Sequence, residues 1–312
     1  MKRIFTLSLL CLLLVACGND GFPDISLPFL ATKTPTPTHT PTITNTASPT
    51  FTPTLGLGST RILEVDGMRQ VYIPAGEFNM GSIGATLYER PVHAVYLDAY
   101  WMDISEVTNQ MYALFLNEMG NQEEEGALWW IEAPGHTGLA FDGTTWHALA
   151  GEEQKPVVSV TWHGADSYCA WAGRRLPTEA EWEKAARGGL EGKPFPWGDS
   201  KPVCLPEALN AAQSRECREG LLPVMSYHPI GYGLYDMSGN AWEWVADWYD
   251  AIYYGNTPYE NPPGPTSGIQ KSRVLRGGSW TDSWESLRVS YRFYFYFGST
   301  AISIGFRCAS TP

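Results

Sequence analysis

Apolar positions along the chain fall into a few short patterned stretches separated by long unpatterned ones. Residues 69–78 (RQVYIPAGEF) and 92–99 (VHAVYLDA) alternate apolar and polar side chains, the period-two pattern of half-buried strands. The period then lengthens. Tyr112, Phe115, Leu116 and Met119 recur at helical spacing, with Thr108 placed as N-cap and Gly120 as stop, which predicts a helix over 109–119. Ala165, Tyr168, Cys169 and Ala172 repeat that spacing over 164–172. Thr178 and Glu181 form a Thr-x-x-Glu capping box for a third helix, running to about Arg187 and closed by Gly188. Elsewhere Gly, Pro and Trp dominate and the pattern predicts loops. An irregular α+β domain with little regular secondary structure follows.

Two N-terminal stretches stand apart. Met1-Lys2-Arg3 is a short basic start, followed by a 12-residue apolar run, Ile4–Val15. That run is too short for a bilayer core of about 30 Å and fits the centre of a signal peptide. Leu14-Val15-Ala16-Cys17 resembles a bacterial lipobox. The expectation is a lipoprotein signal peptide at 1–16 and a lipid on Cys17, holding the protein at the cell envelope outside the cytoplasm. Residues 32–54 alternate Thr and Pro and offer nothing to a core. Residues 17–59 therefore read as a Thr/Pro-rich stalk, whose polyproline segment spans roughly 70 Å at about 3.1 Å per residue. From 60 to 312 the composition is uniform and without repeats, as in one domain.

Charge narrows the partners. With 33 acidic and 21 basic side chains the net charge is −12, which repels phosphate backbones and excludes nucleic acid as a partner. Thirteen Trp, 31 Gly and 23 Pro, against 17% charged residues, exclude a bundle of long charged helices. Once Cys11 leaves with the leader and Cys17 takes lipid, Cys169, Cys204, Cys217 and Cys308 remain. In an exported chain these imply two disulfides, and counting alone leaves three pairings open.

The common catalytic signatures HExxH, GxSxG and the phosphate loop are absent. His163 reads as a surface or capping residue before a helix, and His136 and His147 lie in an acidic, Trp-rich insert without metal-ligand spacing. The segment 231–250 (GYGLYDMSGNAWEWVADWYD) is more suggestive. Asp236, Gly239, Ala241 and Glu243 offer alternating carboxylates and carbonyls of the kind a hard cation such as calcium takes. Trp242, Trp244 and Trp248 between them suit a core. Gly277 and Gly278 before Ser279 imply close backbone approach, and Arg276 and Arg307 imply ion pairs.

Several strings, in order, resemble the formylglycine-generating, sulfatase-modifying factor family. They are MRQVYIPAGEFNMGS (68–82), ERPVHAVYLDAYWMDISEVTNQMY (89–112), KPVVSVTWHGADSYCAWAGRRLPTEAEWEKAARGG (155–189), FPWGD (195–199), GLYDMSGNAWEW (233–244), RVLRGGSW (273–280) and GFRCA (305–309). They cover nearly all of 65–310. The resemblance implies a C-type-lectin-like fold stabilised by calcium, with one cation site at Asp236, Gly239, Ala241 and Glu243. A second would include Asn210 and Ala211, although the segment after them is shortened here. It also implies a disulfide between Cys169 and Cys308, which leaves Cys204 for Cys217.

The resemblance fails at the family's chemistry. Formylglycine-generating members hold Cu(I), a soft ion, between two cysteines separated by four residues after the Gly-Gly-Ser turn. Here Asp282 and Leu287 stand at those positions, so copper is not expected. The pocket-wall matches Trp242 and Ser279 remain. The branch that makes ergothioneine uses iron held by histidines of an added helical domain, which does not match this chain. Two functions compete: a lipid-anchored binding or accessory module for an envelope protein or glycan, and a divergent oxidoreductase acting on a sulfatase cysteine. The second would draw on Asp282, Glu285 and Arg288.

Overall fold

In the computed structural model, which describes residues 55–84, 86–133, 138–217 and 220–312, the first alternating stretch makes two strands instead of one. Pro74 cannot donate to a ladder, so the chain breaks there. The signal peptide, Cys17, the stalk up to residue 54 and His136 lie outside the described residues.

In chain order, β1 (Thr60–Ile62), β2 (Arg69–Ile73), β3 (Gly76–Met80), β4 (His93–Leu97) and β5 (Tyr100–Asp103) precede α1 (Asn109–Met119). Two short hairpins follow: β6 (Glu123–Glu124) with β7 (Ala127–Leu128), and β8 (Leu139–Phe141) with β9 (Trp146–Ala148). Next come α2 (Trp162–Trp171), α3 (Glu179–Arg187), β10 (Trp242–Trp248), β11 (Ser272–Arg276), β12 (Phe293–Tyr296), β13 (Ile304–Phe306) and β14 (Ala309–Ser310). One four-stranded sheet runs β1-β2-β5-β14 and the other β12-β11-β10-β13, with β10 and β13 parallel. β3 and β4 form a separate pair in which Phe78 faces Val95.

The helices form where their caps and periodicity placed them. Thr108 Oγ1 accepts from Met111 N at 3.3 Å, and Gly120 ends α1. Thr178 Oγ1 accepts from Glu181 N while Glu181 Oε2 accepts from Thr178 N, completing the capping box of α3. Gly188 ends that helix in the left-handed region at φ 56, where a Cβ would lie 2.3 Å from Gly231 Cα. Only glycine on both sides allows that approach. α2 starts two residues before its pattern, because Thr161 caps it by accepting from Gly164 N. That places His163 in the first turn and buries it, correcting the surface assignment. Its ring lies edge-on to Trp162 and Phe297, with Nδ1 3.3 Å from Glu124.

The strands β10 to β13 occupy sequence expected to be loop. β10 is buried on both faces, so its residues do not alternate in polarity. Trp242, Trp244, Leu275 and Phe306 join a cluster with α1 and α2. Val245, Val274 and Trp182 of α3 join the other, together with β3 and β4.

Between the layers sits an ion-pair box. Glu183 of α3 binds Arg187 at 2.6 Å and Arg276 of β11 at 2.7 Å, and Glu179 binds Arg292 at 2.7 Å and Arg276 at 3.2 Å. Burial works to raise the Glu183 carboxyl, but Arg187 and Arg276 outweigh it and hold it below the ordinary range. Two disulfides close the structure, Cys169–Cys308 and Cys204–Cys217. The first ties α2 to the residue before β14, and Cys308 N also donates to Asp103.

Candidate functional site

The Gly-Gly-Ser turn is shaped by what it touches. A Cβ on Gly278 would lie 2.7 Å from Leu287 Cδ1 and 2.9 Å from Ser286 O, so the turn packs directly on the following segment. Ser279 is thereby buried, and its hydroxyl donates to Asp282 Oδ2. The Trp242 indole N–H donates to the same oxygen at 2.8 Å, and Thr281 Oγ1 lies 3.3 Å from it. Three donors on Oδ2 fix the carboxylate, and Oδ1 takes none of the three. Trp242 stacks on Phe293 at 5.4 Å and tilts against Tyr291 at 6.0 Å. The result is a carboxylate beside an aromatic wall whose outer member, Phe293, is 40% exposed.

The residues that sequence reasoning grouped with Asp282 separate. Leu287 is fully buried against Phe195 and Ala212, with Trp197 and Trp284 packed around them. Glu285 is exposed, and its carboxyl lies below the ordinary range mainly because of a hydrogen bond from Ser283. Arg288 pairs with Glu89 at 2.7 Å and lines a different open hollow of about 670 Å3, with Gly81, Arg187 and Lys193. No three-residue centre forms from Asp282, Glu285 and Arg288. Instead the segment holding Cys204–Cys217 braces the site, because Arg215 N donates to the Asp282 carbonyl at 2.9 Å.

The copper chemistry of formylglycine-generating members does not fit the donor set here. All four cysteines among the described residues are in disulfides, and the two positions of interest hold a hard oxygen donor and a buried alkyl group. Neither supplies the thiolate pair that Cu(I) requires.

The calcium positions fit in part. Gly239 is needed first by the fold: a Cβ there would lie 2.1 Å from Gln213 O. Glu243 is engaged at both oxygens, by Arg307 Nε and Nη2 at 2.7 Å each and by the Trp182 indole at 2.8 Å. Asp236, half-buried at φ 57, accepts from Met225 N at 2.8 Å. Glu106, which sequence reasoning missed, completes the group. It is fully buried, its Oε1 accepts from Asn240 at 3.0 Å, and its Oε2 has no hydrogen-bond partner among the described residues. Burial, then the Asp236 charge, pushes Glu106 well up; burial likewise raises Asp236. Its signal was an acid inside an apolar strand-to-helix connection, Ile104–Val107. Asn210 donates its amide to Lys201 O, and its carbonyl accepts from Val203 N beside the Ala211–Val203 bridge. Among the described residues no three His, Cys, Asp or Glu side chains are arranged to hold a metal unaided. A cation here would need backbone carbonyls.

Residues 60–312 match the family described as sulfatase-modifying factor enzyme 1-like domain. The chain is 37% identical over 281 residues to the formylglycine-generating enzyme of Streptomyces coelicolor, across 77% of this chain and 88% of that one. It is 33% identical to the inactive C-alpha-formylglycine-generating enzyme 2 of Bos taurus, across 82% and 93%. Among solved structures, PvdO from Pseudomonas aeruginosa superposes with a TM-score of 0.64 at 25% identity, covering 82% of this chain and 99% of that one. The motif order, the irregular two-sheet fold and these matches agree: the chain belongs to the sulfatase-modifying factor family.

Proposed function

We propose that this family member lacks copper oxidase chemistry and serves as a binding or accessory module at the cell envelope. The observation that carries this reading is the pair Asp282 and Leu287: one is a carboxylate held by Trp242 and Ser279, the other a core residue. Its ligand is a protein segment or glycan that offers a hydrogen-bond donor to Asp282 and an apolar face to Phe293. The lipobox at Cys17 would anchor the chain, and the Thr/Pro stalk would carry the domain outward. Calcium belongs to this reading as a structural ion. Asp236 and the carbonyls of Gly239 and Ala241 would hold it, with Glu243 already neutralised by Arg307 and Glu106 supplying its unpartnered oxygen. Bound there, it would offset buried negative charge and brace the 236–241 turn.

Peptide and glycan arrays, probed with the wild-type chain and with Asp282→Asn, test the binding reading. Ligands retained by the wild type and weakened about tenfold by the variant are expected, the size of a lost charge-assisted hydrogen bond. A chain that binds no member of either array would contradict it.

A further inference from the structure

A second hollow lies on the same sheet, away from Asp282. Its volume is about 250 Å3, and Trp248, Phe297, Gly268, Lys271 and Glu125 line it, with the hydroxyl side chains Thr266 and Ser267 at its edge. The volume lies below the roughly 300–1,000 Å3 of sites for drug-sized ligands, so it takes one ring-sized group.

Its walls are rigid. Trp248 and Phe297 meet edge to face, with centroids 6.2 Å apart. The Arg273 guanidinium is sandwiched between the indoles of Trp248 at 3.5 Å and Trp162 at 3.7 Å, which clamps the Trp248 ring. Gly268 sits where a Cβ would lie 2.5 Å from Ser272 O, so this wall is bare backbone. The backbone is also strained here. Glu125 (φ 48) and Lys271 (φ 55) line the hollow in the left-handed region, and Gln270 (φ 49) precedes Lys271. Non-glycine residues held in that region are disfavoured and gather at ligand clamps.

The electrostatics select the ligand class. The two charged side chains lining the hollow are opposite in sign and face each other, Lys271 Nζ lying 3.4 Å from Glu125 Oε2. Both are largely exposed, at 67% and 54%, so their mutual attraction is worth little and either can turn to a ligand. A charged ligand would be opposed by one of them. A neutral polyol can donate to Glu125 and accept from Lys271 while its C–H face rests on the half-buried Trp248 ring, which the buried Phe297 supports. Resting on the reading of this protein as a binding module, the geometry points to a subsite for one neutral pyranose ring in this hollow, against the half-buried Trp248 ring. Preorganised walls favour such a small ligand, because little ordering is left to occur on binding.

The test is titration of the full chain with methyl glucoside, galactoside and mannoside, with glucuronate and glucosamine as charged controls. Saturation-transfer NMR and tryptophan fluorescence supply the readouts. Saturable binding of a neutral hexoside is expected, on the order of millimolar for a single ring. Trp248→Ala should weaken it at least about tenfold, as truncation of a central aromatic anchor does. Because Trp248 also packs against the core, Lys271→Met and Glu125→Gln provide surface variants that fold normally, and each should weaken binding several-fold. No binding by any neutral hexoside, tighter binding of a charged control, or affinity unchanged in all three variants would overturn the subsite. Loss of hexoside binding in Asp282→Asn alone would overturn it too, placing the sugar at the Asp282 cleft and leaving the binding-module reading intact.

Discussion

Asp247 illustrates how a single buried carboxyl sets a pH dependence. It lies on β10, accepts from Glu179 N at 2.7 Å, and burial followed by the Glu179 charge pushes it up to about 8. The unfolded chain releases that proton near 3.9. Folding therefore takes up a proton between these values, so the contribution of Asp247 is complete below about pH 4 and declines as pH rises towards about 8. Asp247→Asn, a neutral mimic, should remove that decline: wild type should lose more melting temperature than the variant between about pH 5 and pH 8. Equal losses would mean that Asp247 is ionised in the fold. Leu287 and Asp282 make a second contrast. Leu287→Ala empties a fully buried site and should cost about 2–5 kcal/mol in urea unfolding. Asp282→Asn still accepts from Trp242 and should change ligand binding more than stability. A Leu287→Ala variant of wild-type stability would show that this side chain is not part of the core.

The disulfides and the 236–241 turn carry the argument at the level of elements. Cys169–Cys308 joins residues 139 apart and Cys204–Cys217 residues 13 apart. In the chain-entropy model these are worth about 5 and about 3 kcal/mol. Paired serine replacements should rank in that order by urea titration, and the reverse order would contradict the account. Chelation tests the turn. If calcium is held by Glu106 and Asp236, EDTA should lower the melting temperature by several degrees, and calcium should restore it. An unchanged melting temperature would leave the group as core carboxyls. The helices were readable because Thr108, Thr178 and Gly188 are local signals that act within one turn. β10 and β11 were not, because strands buried on both faces lose the period-two pattern and take their register from distant partners.

Over the whole molecule, the family's motif strings made the fold legible where composition predicted only an irregular α+β domain. They also gave the Cys169–Cys308 pairing, which counting left open. The site was legible only in pieces. Trp242, Ser279 and Asp282 converge as their positions implied, whereas Glu285 stands exposed and Arg288 is claimed by Glu89, far away in sequence. Glu106 stayed hidden, since its neighbours in the chain do not include Asp236 or Asn240. The central claim is that a family member with Asp282 and Leu287 in place of a thiolate pair does not perform copper oxidation. The most direct measurement is to load the full chain with Cu(I), supply a Cys-x-Pro-x-Arg peptide and O2, and follow aldehyde formation by mass. No aldehyde, with the copper removed by dialysis, is the expected result. Catalytic aldehyde formation would contradict the claim and make Asp282 the first residue to replace.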